Sequence, residues 1–255
     1  MRRREKFIIT SLLLAGLLLL IQALPLEWRL WASLGFVLLT YFASAWALYD
    51  HLNGTEWLSV VPMPALFAGS VAMVYTLLPG SVLSKIAVFL IFAIGIYALL
   101  LTANIYSVAK GRSIQLLHAA HAVGFWFMML ASLLYTNVIY AYRLHPLIIG
   151  LGVALLHFPL IFVSLWSIQL KERVSQEVVL YSVMFALLIG EFALILSLLP
   201  LSVWYSALFI MSLMYLTVSY VRSVLLGRLF ARTFAEYALA AAFVIGFFLF
   251  VFPWK

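Results

Sequence analysis

The sequence predicts an all-α fold: a polytopic transmembrane helix bundle of about nine helices, with eight as the alternative count. Three observations carry that prediction. The chain is 67% hydrophobic and 9% charged with a mean hydropathy of +1.18, whereas soluble domains are nearer half apolar and a quarter charged. Its apolar runs reach the roughly 20 residues that one bilayer-crossing helix needs. They lack the alternating segments of about ten residues that a membrane β-barrel would show. Nine spans would use about 180 residues of the 255, so 1–255 is expected to be a single integral membrane domain with no extramembrane domain.

Charged residues and Pro or Gly break the apolar runs, and the intervals between them give spans near 7–24, 29–49, 58–78, 82–107, 116–138, 145–168, 176–199, 202–224 and 235–253. The first follows the basic stretch Arg2–Lys6; it also has the layout of a secretory signal, with Ala23 as a poor cleavage residue. The second opens among Trp28, Arg29 and Trp31. The third and fourth are divided by Leu78-Pro79-Gly80, a turn signal. No charge stands between Lys85 and Lys110, between Arg112 and Arg143, or between Arg143 and Lys171, and each interval is long enough for one crossing. Pro200 divides the seventh span from the eighth, because a helix interior tolerates proline poorly. The ninth contains Ala238, Ala242 and Gly246, and the third Ala65 and Gly69, at the four-residue spacing of ordinary close helix packing. Between the eighth and ninth spans, Arg222, Arg228 and Arg232 alternate with Leu225, Leu226, Leu229 and Phe230, a pattern that reads as a short amphipathic interfacial helix.

Basic residues orient the spans. With the N-terminus in and the C-terminus out, Arg2, Arg3, Arg4, Lys6, Lys110, Arg112, Lys171, Arg173, Arg222, Arg228 and Arg232 fall inside, and only Arg29, Lys85, Arg143 and Lys255 outside. One inside loop departs from this rule: 49–57 holds Asp50, His51 and Glu56 and no basic residue. The net charge of +7 is scattered between apolar runs rather than gathered on one face, so nucleic acid is not an expected partner. Zero cysteines remove thiolate zinc, iron–sulfur and thiol-nucleophile chemistry.

Ionisable groups inside the hydrocarbon region mark candidate sites. Glu191, the only acid well inside a predicted span, and His157 in the preceding span are the intramembrane polar candidates. Sequential helices commonly pack as neighbours, so a Glu191–His157 contact is expected, and such a pair can pass a proton; the structural alternative is a Glu191 that only fixes helix packing. Asn104, Lys110, Arg112, His118 and His121 form a second set near the cytoplasmic ends of the fourth and fifth spans. They are candidates for binding an anionic lipid headgroup or another anion, set against plain solvated orientation residues. No mid-span Lys is available for a retinal Schiff base, the five His cannot supply facing haem-ligand pairs, and no nucleophile, zinc-protease or phosphate-loop motif occurs. The expectation is therefore of no metal, no cofactor and no catalytic residue.

Residues 104–125, NIYSVAKGRSIQLLHAAHAVGF, resemble a segment of a family of uncharacterised multi-pass membrane proteins from candidate-phyla bacteria, a domain of unknown function. The likeness lies in the Asn-Ile start, Arg112, Ile114, Leu116, Leu117 and the Ala119-Ala120 pair. In that family an Arg stands where His118 stands here, and a polar or basic residue where His121 stands. The resemblance implies a bacterial inner (plasma) membrane location and no particular activity. Two function classes follow from the residues. One is a transporter of a small solute, proton or lipid, or a lipid-handling protein, using the intramembrane polar groups. The other is a scaffold or assembly subunit with another membrane protein as partner.

Overall fold

A tight chain reversal needs residues that stop a helix, and the places where this chain turns are those where Pro, Gly or a capping Ser stands. The structure, a computed structural model, describes residues 3–49, 54, 56–108, 115–170 and 173–251. Among them are ten helices and no strand: α1 Arg3–Ile21, α2 Leu26–Leu48, α3 Glu56–Ser59, α4 Pro62–Leu77, α5 Val82–Val108, α6 Gln115–Ala141, α7 Pro146–Gln169, α8 Gln176–Ser197, α9 Val203–Leu225 and α10 Ala231–Val251. Pro25 precedes α2. Ser175 and Ser202 cap α8 and α9 by accepting the N–H of Val178 and of Tyr205. The hairpins expected at Pro79-Gly80 and Pro200 are present, and α7 runs unbroken through Pro159.

Among the described residues, eight helices are long and apolar enough to cross a membrane, taking α3 and α4 as one span over Glu56–Leu77. The difference from nine is α1, whose first residues, Arg3, Arg4, Glu5 and Lys6, are all charged. The interfacial helix expected between the last two spans does not form. Instead α9 continues to Leu225, and Gly227, at φ +63°, ends it in the left-handed conformation that glycine adopts without strain.

By its contacts the chain divides into two compact units, with the boundary inside α6 between Ala131 and Ser132. The first holds α1 to α5 and the opening part of α6. Its centre is aromatic: Phe67 packs edge-on to Phe127 at 5.0 Å and stacks on Phe92 at 6.0 Å, and Phe92 meets Phe36 at 5.8 Å. Gly95 makes room for this cluster, since a Cβ there would stand 2.8 Å from the Phe67 ring. At one end of the unit the Arg29 guanidinium donates to the carbonyls of Gln22 and Leu24, closing the C-terminus of α1.

The second unit holds the end of α6 and α7 to α10. Its tightest seam joins α7 to α8, where Gly150 and Gly190 face each other; a Cβ on Gly190 would lie 2.7 Å from both the Ala154 Cβ and the Gly150 carbonyl oxygen. Tyr140 ties α6 to α8 through a 2.6 Å hydrogen bond to the Ala193 carbonyl. Helix α10 touches α9 through Phe248 on Phe209, centroids 4.6 Å apart, and through the Tyr237 hydroxyl, which donates to the Ser219 carbonyl. No residue of its apolar window is buried. The two small-residue stripes therefore part company: Ala65 and Gly69 lie inside the first unit, whereas Ala238, Ala242 and Gly246 face outward, with nothing within 4 Å of a Cβ placed on Gly246.

Candidate functional site

Buried polar groups within apolar helices need partners, and the partners they have found separate structural from functional candidates. His157 lies on α7 with no exposed surface. Its Nδ1 is 2.8 Å from the Val153 carbonyl oxygen one turn earlier, and its Nε2 is 2.8 Å from Ser132 Oγ on α6. A carbonyl can only accept, so Nδ1 carries a hydrogen; in the neutral ring Nε2 then accepts from the Ser132 hydroxyl. Both ring nitrogens are satisfied without a carboxylate.

The expected Glu191–His157 contact is corrected by these bonds and by the register of α8. The face of α8 turned inward carries Ser182, Ala186, Ile189, Gly190 and Ala193. Glu191 follows Gly190 by one residue, hence by about 100° around the helix, and it is exposed. No described residue hydrogen-bonds or ion-pairs with its carboxyl.

In the first unit, the two helices that carry the second predicted set meet through a tyrosine outside that set. Tyr106 on α5 donates a hydrogen bond of 3.0 Å to the Ala120 carbonyl on α6, and its ring lies 5.5 Å from that of His121. Gly124 permits this approach, because a Cβ there would be 2.8 Å from the Tyr106 hydroxyl. His121 and Asn104 are half-buried and His118 is exposed. Lys110 and Arg112 lie outside the described residues, as do Asp50 and His51. Among the described residues no group of three or more His, Cys, Asp or Glu could hold a metal ion.

The residue that sequence reasoning placed in a loop is the most deeply enclosed acid described. Glu56 opens α3 with none of its surface exposed. Its neighbour at helical spacing, Ser59, is also buried, while Leu58 is 65% exposed, so this four-residue helix turns its polar side inward and its apolar side outward. The Tyr41 hydroxyl donates to the Trp57 carbonyl at 2.9 Å. Tyr41 is seven residues before the end of α2, which sets α3 about 10 Å along α2 from that end rather than beyond it. The same stretch of α2 carries Thr40 and Ser44, one turn apart, both fully buried, with hydroxyls that have no hydrogen-bond partner among the described residues. After Ser59 the chain makes a turn at Val60-Val61 before α4 starts at Pro62. A span interrupted in this way, with a carboxyl at the interruption and unsatisfied hydroxyls on the neighbouring helix, is an arrangement able to take up a small cation or exchange a proton.

Two signals for Glu56 were legible. The loop 49–57 is the one loop expected inside that carries no basic residue, and Glu56 and Ser59 sit three apart against an apolar run ending at Pro62. Eight apolar spans among the described residues, with outward leucines and phenylalanines, define a multi-pass integral membrane protein. Compared with protein-family models, with curated proteins and with solved structures, the chain matches none.

Proposed function

We propose that the chain is a transporter in which the first unit moves a small solute or a proton, with Glu56 as the group that takes up and releases a proton during the cycle. The observation that carries this reading is the complete burial of the Glu56 carboxyl at an interrupted span, on a short helix that Tyr41 bonds to the stretch of α2 carrying the unsatisfied Thr40 and Ser44 hydroxyls. Enclosed ionisable groups in membrane bundles mark ion paths and proton relays. In purified protein reconstituted into liposomes, a potassium diffusion potential should drive proton entry, read by an internal pH dye. Glu56→Gln should bring that flux to the level of empty liposomes while leaving thermal stability nearly unchanged. Full flux in Glu56→Gln would remove Glu56 from the mechanism.

The second reading, a scaffold or assembly subunit, draws its support from α10, whose small-residue stripe faces outward. Anionic headgroup binding at Asn104, Lys110, Arg112, His118 and His121 belongs to the proposal for the first unit. Its test is the Arg112→Gln/His121→Gln double variant, which should retain less anionic lipid through purification. The bacterial inner-membrane location and the N-terminus-in topology are part of the same proposal; reporter fusions after Lys110, Arg143, Lys171 and Lys255 should read in, out, in and out.

A further inference from the structure

Helix α8 has a second face. Leu180, Met184, Leu187, Glu191, Ile195 and Leu198 are all exposed. They follow one another in steps of three and four, the stepping of a coiled-coil seam. Glu191 stands six residues from the end of α8 at Ser197 and fifteen from its start at Gln176, so it lies about 9 Å and about 22 Å from the two ends. That depth is well inside a hydrocarbon layer about 30 Å thick. A carboxyl held there against lipid lacks the donors and acceptors that every other strongly polar group at depth requires.

The chain itself indicates what meets it. Every Lys and Arg in the described helices lies within four residues of a helix end: Arg3, Arg4 and Lys6 on α1, Arg29 on α2, Lys85 on α5, Arg222 on α9 and Arg232 on α10. At those positions each stands close to an interface, so none is placed at the depth of Glu191. A second Glu191 is. In a dimer whose two-fold axis runs along the membrane normal, each residue on the axis-facing helix meets its own copy at the same depth. A carboxylic acid is self-complementary, because its O–H donates while its carbonyl oxygen accepts. A polar residue at one position of an apolar seam also sets the register of the pair.

We propose that the outward face of α8 is a homodimer seam, in which two Glu191 carboxyls hydrogen-bond reciprocally between parallel copies of α8 flanked by Leu187 and Ile195. The proposal is independent of the transport reading, since Glu56 and Glu191 belong to different units.

The cysteine-free sequence makes the test direct, because any disulfide formed by a single-cysteine variant joins two chains. Leu187→Cys and, as a control on the exposed face of α5, Ile94→Cys are oxidised in native membranes and in lipid nanodiscs. Leu187→Cys should give a covalent dimer of twice the chain mass, and Ile94→Cys should not. Adding Glu191→Leu should weaken association roughly tenfold, the scale of one intramembrane polar contact, whereas Glu191→Gln, which still donates and accepts, should retain the dimer. Unaltered chromatographic behaviour of the Glu191→Leu monomer shows that the variant folds. Cross-linking of Leu187→Cys no stronger than the control, or unaffected by Glu191→Leu, would overturn the proposal. A cross-link in native membranes only to a chain of different mass would overturn it too, in favour of a foreign partner helix.

Discussion

Glu56 opens an apolar run and Glu191 stands within one, and the molecule treats the two glutamates in opposite ways. Glu56 stands next to a loop, yet it is drawn into the first unit until none of it is exposed; Glu191 stands deep in an uninterrupted helix, yet it faces outward from the second. Distance along the chain from a helix end is therefore a poor measure of enclosure. What decides it is rotation: Glu56 shares its helix face with Ser59 and points inward, whereas Glu191 is one residue past Gly190, whose face is pressed against α7. An inward carboxyl can serve a path through the protein, and an outward one can serve only another molecule.

The contrast is broken most completely at Gly190. A side chain there would collide with the Ala154 Cβ and the Gly150 carbonyl at 2.7 Å, and backbone cannot step aside as a flexible side chain would. Gly190→Leu should prevent the second unit from folding, seen as loss of the monodisperse peak in detergent. Gly190→Ala should cost about 1–3 kcal/mol, the usual penalty for overpacking a tight contact, measured by thermal or denaturant unfolding. Because α8 then loses its seat on α7, Glu191 should also become unevenly reactive toward carboxyl-modifying reagents.

Next in size is the Ser132–His157 bond, which holds the one fully buried imidazole among the described residues without help from either acid. Ser132→Ala leaves a buried ring nitrogen unsatisfied and should cost about 1–3 kcal/mol. Adding His157→Leu should restore part of that loss, a non-additivity that a double-mutant cycle would read. Strict additivity would mean that the two residues act separately.

Glu56→Gln should change stability by less than about 1 kcal/mol, because an amide fills nearly the same volume and keeps hydrogen bonding. Glu56→Leu should cost more, since it places an apolar side chain on a buried helix face that also carries Ser59. The smallest effect belongs to Glu191: in dilute detergent, where the chain is monomeric, Glu191→Leu should shift stability by no more than about 0.5 kcal/mol, as at other exposed positions. A large loss in the monomer would show that Glu191 is enclosed after all and would erase the difference between the two acids.

Most of the helix plan was legible. The span read as 82–107 is α5 at Val82–Val108, that read as 145–168 is α7 at Pro146–Gln169, and the breaks at Pro79 and Pro200 are true hairpins. Proline and glycine act locally, so their effect survives without knowledge of neighbours. The interfacial helix expected near Arg228 was lost to Gly227, since amphipathic spacing does not report where a left-handed turn ends the preceding helix. Adjacency of the sixth and seventh spans was correctly expected, but not which residues meet: Gly150, Ala154 and Gly190 take the contact, His157 turns to Ser132, and Glu191 is left outside.

By itself, then, the sequence determined that this is a helical membrane protein, where most of its long helices begin and end, and which few polar residues lie along them. Those are consequences of hydrocarbon thickness, backbone hydrogen bonding and single-residue conformational limits, all of which act within one segment. Tertiary structure alone decided which glutamate is enclosed and which is presented outward. That outcome depends on the rotation of each helix about its own axis, and rotation is set by the shapes of the side chains it packs against, above all by glycines that let one backbone approach another.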